Sequence, residues 1–201
     1  MKEFIIEVGS NRGTDTISLA FNNPECQVIA IEPTPELLSG FLYKLPKQVP
    51  NVKVFPFAID LDEGIKTFNI AGQNDWGCSS LHQFTDNIHE QWEGRPDFKF
   101  THSVDVLCIR GDKLCDMLGV KSIKYLWVDT QGNDFRTLQS FGEYLEITKA
   151  GKCEAAYNVD LYKDVDNSHL NIVNFLENLG FKTKIKPDIV NKECDVHFWR
   201  E

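Results

Sequence analysis

The stretch Phe4-Ile5-Ile6-Glu7-Val8-Gly9-Ser10-Asn11-Arg12-Gly13-Thr14 limits the fold more than any other part of the chain. Phe4 to Val8 is apolar and branched with one charge, Glu7, which is the pattern of a buried strand. Gly9 and Gly13 let the backbone turn sharply and approach a bound molecule closely. Thr14, Asp15 and Thr16 are candidate side-chain caps for a helix whose apolar face runs through Ile17, Ala20 and Phe21. Strand, glycine turn and helix in that order open a nucleotide-binding α/β sheet.

The spacing narrows the ligand. A dinucleotide site uses G-x-G-x-x-G, whereas this loop reads Gly9-x-Asn11-x-Gly13 behind an acid, Glu7. A second strand, Gln27 to Ile31, ends in Glu32, placed to accept both hydroxyls of a ribose. A loop with an extra carboxylate and a bulky Arg12 suits pyrophosphate poorly. It suits an amino acid joined to adenosine, with an ammonium and a sulfonium to balance, so S-adenosylmethionine is the expected ligand. Glu7 and Glu32 are expected to project into one pocket and hold opposite ends of it. The competing reading is a structural turn that binds nothing.

The chain has 201 residues, enough for one domain with a sizeable core and no second-domain boundary. Its net charge of -9, with no lysine or arginine cluster, argues against nucleic-acid binding. The cysteines Cys26, Cys78, Cys108, Cys115, Cys153 and Cys194 form no C-x-x-C pair and read as reduced. With no signal peptide, apolar span or N-x-[ST] sequon, a cytoplasmic setting away from membranes is expected. The first strand begins almost at Met1, as in a domain cut from a longer protein. Nothing in the sequence indicates an oligomeric state.

Pro33-Thr34-Pro35 opens a helix with Leu37, Leu38, Phe41, Leu42 and Leu45 as its apolar stripe. Asn51 to Ile59 reads as a third strand ending at Asp60, which either caps a loop or reaches an adenine amino group. Ile65 to Ile70 is expected to run antiparallel to that strand. Residues 71–100 lack periodicity but hold Trp76, His82, His89, Trp92 and Arg95, the content of an acceptor-binding lid or of a surface loop pinned by tryptophans. Thr101 to Ile109 is a further strand and Asp112 to Leu118 a helix ended by Gly119. Ile123 to Asp129 is another strand, and Asp129-Thr130-Gln131-Gly132-Asn133-Asp134 leads into a helix through Phe135, Leu138, Phe141 and Leu145. Ligands bind beyond the carboxyl ends of strands in open α/β sheets, which is expected to bring Asp129 and Gly132 to the same cleft as Glu7 and Glu32. Lys152 to Tyr157 forms the next strand, carrying Glu154. A last helix through Leu170, Val173, Leu176 and Leu179 is closed by Gly180, and Phe181 to Ile185 with Asp195 to Trp199 alternate like a terminal hairpin.

Five blocks lie in order: Glu7 to Gly13, Ala30 to Pro35, Phe57 to Asp60 with Gly64, Ser79-Ser80-Leu81, and Val128 to Asp134. Together they resemble the FkbM family of S-adenosylmethionine-dependent methyltransferases, many of which methylate sugar or glycoside hydroxyls. The resemblance implies a Rossmann-like class I methyltransferase fold: an α/β domain with a mostly parallel central sheet, flanking helices and a C-terminal antiparallel hairpin. The family's D-x-E-G-x-E reads Asp129-x-Gln131-Gly132-x-Asp134 here, and the lysine that usually precedes it by two positions is Trp127.

The candidate cofactor contacts are Glu7, Gly9, Ser10, Asn11 and Gly13 in the loop, Glu32 and Pro33 after the second strand, Ile59 and Asp60 after the third, and Asp129. Asp129 is the candidate general base, with Glu154 as partner, and the two are also candidate ligands for a magnesium ion. Its structural alternative is a helix N-cap. His82 and His89 are alternative bases. The expected acceptor is a sugar or glycan hydroxyl. The alternatives are a nucleotide or small-metabolite acceptor, or a non-catalytic module that binds S-adenosylmethionine.

Overall fold

The computed structural model describes residues 2–72, 76–91, 99–188 and 192–201, apart from the side chain of Gln91. Seven strands build the main sheet: β1 (Phe4–Val8), β2 (Gln27–Ile31), β3 (Val52–Phe55), then β7 (Ile123–Val128), β8 (Ala150–Ala156), β9 (Lys182–Asp188) and β10 (Glu193–Trp199). A smaller sheet holds β4 (Ala58–Ile59), β5 (Gly64–Ile70) and β6 (His102–Ile109). The helices are α1 (Thr14–Asn22), α2 (Pro35–Gly40), α3 (Leu45–Gln48), α4 (Ile88–Gln91), α5 (Gly111–Leu118), α6 (Asp134–Ser140) and α7 (His169–Asn178).

The main sheet runs β3-β2-β1-β7-β8-β10-β9. β3 through β8 are parallel, and β10 is antiparallel to both β8 and β9, which is the expected C-terminal hairpin. The chain order reverses between β1 and β7, so the carboxyl ends of these two strands flank the crevice where α/β sheets bind ligands.

Period-two alternation sorts side chains to two faces. Ile5, Val28 and Ala30 pack with Ala20, Leu38, Leu42 and Leu45 under α1, α2 and α3. Ile6, Val8, Ile29 and Ile31 pack on the other face with Leu114, Leu138, Phe141, Ile172 and Leu176 of α5, α6, α7 and their flanks. Each fully buried branched side chain contributes about 1.5–3 kcal/mol of transfer free energy, so both layers are needed. Among the described residues no helix is long and apolar enough to cross a membrane.

Several expectations need correction. The third strand does not run unbroken from Asn51 to Ile59. Pro56, with no N–H to donate, separates β3 from β4, and β4 leaves the main sheet to pair with β6. β5 pairs antiparallel with β6 rather than with the third strand. Thr14, Asp15 and Thr16 do not cap α1, because the N-cap position is Gly13 at φ 77° and makes no side-chain bond. Phe21, Phe41 and Leu170 are exposed rather than core residues. Asp129 is not an N-cap either, since α6 begins only at Asp134 behind Asn133.

Candidate functional site

A cleft lies at the carboxyl ends of β1, β2, β4 and β7, lined among others by Gly9, Asn11, Glu32, Pro33, Ile59 and Asp129. Gly9 takes φ 90°, and a Cβ there would stand 1.7 Å from the Asp129 carbonyl oxygen. Only glycine lets β1 and β7 close this tightly. The N–H groups of Gly9 and Ser10 both donate to the Ile31 carbonyl, at 2.9 and 3.0 Å, and the Ile31 N–H donates to Ser10 Oγ at 3.1 Å. These bonds tie the loop to the end of β2.

Glu32 is buried, and both its oxygens are oriented from the backbone. Oε2 accepts the Asn11 N–H and Oε1 the Thr34 N–H, each at 2.9 Å. Burial pushes its carboxyl above the ordinary carboxylate range despite those bonds. Beside it, the Asn11 Oδ1 atom is buried without a hydrogen-bond partner in the protein. An oriented acid next to an orphaned acceptor fits a ligand that brings its own hydroxyl or ammonium donors, as S-adenosylmethionine does.

Not every expected contact reaches this cleft. Glu7 shares the face of Ile5, so its side chain turns toward α1 and accepts the Thr16 hydroxyl. It does not line the cleft with Glu32, so the structure does not bring the two expected carboxylates to one pocket. Ser10 supports the loop, and Gly13 packs against Leu42 and Leu45. Asp60 sits in a charged network instead. It pairs with Lys66, accepts Arg136 Nε at 2.9 Å, and lies 3.3 Å from Asn133 Nδ2. Burial raises its carboxyl, but the Arg136 and Lys66 bonds outweigh burial and hold it below its ordinary value.

Burial pushes the Glu7 carboxyl up to about 8, against an ordinary 4.5, with Thr16 opposing. The folded chain therefore keeps a proton that the unfolded chain loses near 4.5. This contribution to stability is whole below 4.5, declines as pH rises, and is gone above about 8. Glu7→Gln is expected to remove a slope of about 1.4 kcal/mol per pH unit in that window. Urea unfolding at pH 5 and 7 checks it, and an unchanged slope in the variant would contradict it.

Asp129 and Glu154 come together, but through a third residue. Gln131 Nε2 donates to Asp129 Oδ1 at 3.0 Å and to Glu154 Oε2 at 2.6 Å, while its Oε1 accepts the Tyr162 hydroxyl at 3.0 Å. Burial raises both carboxyls, and the neighbouring Asp129 charge raises Glu154 further. The pair does not fit the expected magnesium ion, because amide N–H groups occupy lone pairs that a cation would need. Among the described residues no group of three or more His, Cys, Asp or Glu is arranged to hold a metal. Asp134 shapes the turn, accepting the Thr130 N–H at 2.9 Å and the Gly132 N–H at 3.2 Å, and burial pushes it up to about 7.

Trp76, Gly77, Cys78, Ser79 and Leu81 bring the start of the 71–100 segment to the cleft, opposite Phe57 and Phe68. His82 does not line it. Its Nε2 lies 2.9 Å from Asn133 Oδ1, and burial lowers its pKa, which keeps the ring neutral. His89 is exposed on α4. Trp92 and Arg95 fall outside the described residues. Lys152 lies 3.9 Å from the Trp127 ring centroid and 3.3 Å from Asp195, so a cation stands next to the position where the family usually carries lysine. Sequence reasoning missed the bridging by Gln131 and the role of Tyr162, for which the chain offers no local pattern. It missed Asn133 as well, although the polar run after β7 pointed at it.

The fold is shared with solved methyltransferases. The structure is similar to a precorrin-6y C5,15-methyltransferase from Geobacter metallireducens GS-15, with TM-score 0.50 and 10% identity over 100% of this chain and 82% of that one. It is also similar to a fibrillarin/Nop5p complex, with TM-score 0.55 and 12% identity over 100% of this chain and 73% of that one. No curated protein matches the sequence. The family described as "Methyltransferase FkbM domain" matches residues 7–183. With the glycine loop, the oriented Glu32 and this span together, the chain belongs to the FkbM family of S-adenosylmethionine-dependent methyltransferases.

Proposed function

We propose that the chain transfers a methyl group from S-adenosylmethionine to a hydroxyl oxygen of an uncharged sugar or glycan. The observation that carries this is the charge of the cleft. Glu32, Asp129 and Glu193 line it, and among its described lining residues there is no lysine, arginine or histidine. A phosphorylated or nucleotide acceptor would meet like charge with no compensating cation, whereas a neutral sugar would not. The Trp76 ring and the Phe68 and Leu81 side chains offer apolar surface for a sugar face, with Asn133 as a polar partner.

The cofactor supplies an electrophilic methyl on a sulfonium that departs as a neutral thioether. The protein must hold the acceptor oxygen in line, exclude water and take one proton. Glu32 would accept the ribose hydroxyls and Asn11 the amino-acid end. Asp129, raised by burial, would accept the proton of the acceptor hydroxyl as the new C–O bond forms. Six free buried cysteines accord with a reducing, cytoplasmic setting.

Methyl transfer onto a panel of neutral glycosides, phosphorylated sugars and nucleotides tests the assignment, each with and without EDTA. Neutral glycosides should be methylated whether or not EDTA is present. Transfer confined to phosphorylated or nucleotide acceptors would overturn it.

A further inference from the structure

Gln131 stands in a conformation that its neighbours impose. Its φ is 52°, in the left-handed region that non-glycine residues rarely adopt. Its carbonyl accepts the Ser80 hydroxyl at 2.6 Å. The next residue, Gly132, has the Tyr162 ring where a Cβ would stand, 2.3 Å away. The turn thereby folds the Gln131 side chain back over the ends of β7 and β8. A primary amide has two N–H donors, and here Nε2 faces one carboxylate on each side, Asp129 and Glu154. The Tyr162 hydroxyl, donating to Oε1, settles which end of the amide faces them. Burial raises the Tyr162 pKa, so the hydroxyl keeps its proton and remains a donor.

Two carboxylates at the ends of adjacent strands repel where water is scarce. A chain can protonate one, place a cation between them, or give both a shared donor. The Lys152 charge lowers Asp129 somewhat, but its ammonium is engaged with Trp127 and Asp195 and does not stand between the two acids. We infer that Gln131 is a positioning residue whose amide holds the carboxyl groups of Asp129 and Glu154 as a metal-free pair, occupying the place a divalent cation would need. The inference rests on Asp129 standing at the transfer site, but its test needs neither acceptor nor turnover.

The test measures Mn2+ binding by electron paramagnetic resonance, together with thermal melting, in the whole chain. Wild type should bind no Mn2+ at millimolar concentration, and its S-adenosylmethionine affinity should be the same in magnesium and in EDTA. Gln131→Glu places three carboxylates together. It should bind one Mn2+ per chain at least about tenfold more tightly than wild type, melt lower without the metal, and regain its melting temperature with it. Adding Glu154→Gln to that variant exchanges amide and acid; it should restore melting and abolish Mn2+ binding. A purely structural role for Gln131 would not confer metal affinity or permit that exchange. Gln131→Leu, which removes both donors, should lower the melting temperature by about 5 °C or more.

Stoichiometric Mn2+ binding by wild type that Asp129→Asn abolishes would overturn the inference, as would a Gln131→Glu chain that folds but gains no Mn2+ affinity. If Gln131→Glu does not fold without metal, refolding in Mn2+ decides between them: recovery supports the inference and failure contradicts it. Neither result bears on whether sugar hydroxyls are the acceptors.

Discussion

Gly9→Ala is expected to abolish S-adenosylmethionine binding and to destabilise the chain by about 4 kcal/mol or more. The added Cβ would stand 1.7 Å from the Asp129 carbonyl oxygen and 2.8 Å from its carbonyl carbon, both backbone atoms that no rotamer change can move. Relief requires β1 and β7 to part at the crossover, where the Asp129 N–H donates to the Val8 carbonyl at 2.9 Å. The φ of 90° adds strain for any L side chain, whatever the space around it. Urea unfolding measures the first effect and calorimetric titration the second. A variant within about 1 kcal/mol of wild type that still binds the cofactor would show that the two strands are not clamped as described.

Asp129→Ala is expected to lower turnover by about a thousandfold, the scale of a lost general base. Cofactor affinity should fall by no more than about tenfold, one hydrogen-bonded contact's worth. The unequal losses distinguish a base from a mere cofactor contact. Transfer of labelled methyl onto whichever glycoside the panel identifies measures turnover, and calorimetry measures affinity. Full activity in the variant would remove Asp129 from the chemistry.

What the sequence made legible was local. The bounds of β1 and β2, the glycine turn and the αL stop of α5 at Gly119 all follow from short patterns whose physics stays within a few residues. Pairing across the fold was less legible. Asn51 to Ile59 reads in sequence as one extended run that joins β4 to β3, yet the partner of β4 is β6, some fifty positions on, and Pro56 makes the break. The orientation of Glu7 could have been drawn from strand parity with Ile5. What parity cannot say is whether that face meets a helix or a crevice, and here it meets Thr16.

The site divides the same way. Glu32 and Asp129 were legible because ends of parallel strands converge on one crevice. Asp60 was not, since its partners Lys66 and Arg136 come from β5 and α6 and draw it away from a ligand. Gln131 reads in sequence as a lost carboxylate. Its meaning changes once β7 and β8 lie side by side and a left-handed turn aims the amide at both their acids.

Calorimetric titration of wild type and Glu32→Ala with S-adenosylmethionine and with NAD decides whether this crevice is the cofactor site. Wild type should bind one S-adenosylmethionine per chain and no NAD, and Glu32→Ala should bind it at least about thirtyfold more weakly, for the loss of hydrogen bonds between a charged acceptor and the ribose. NAD binding in its place, or a Glu32→Ala variant with undiminished affinity, would contradict the account.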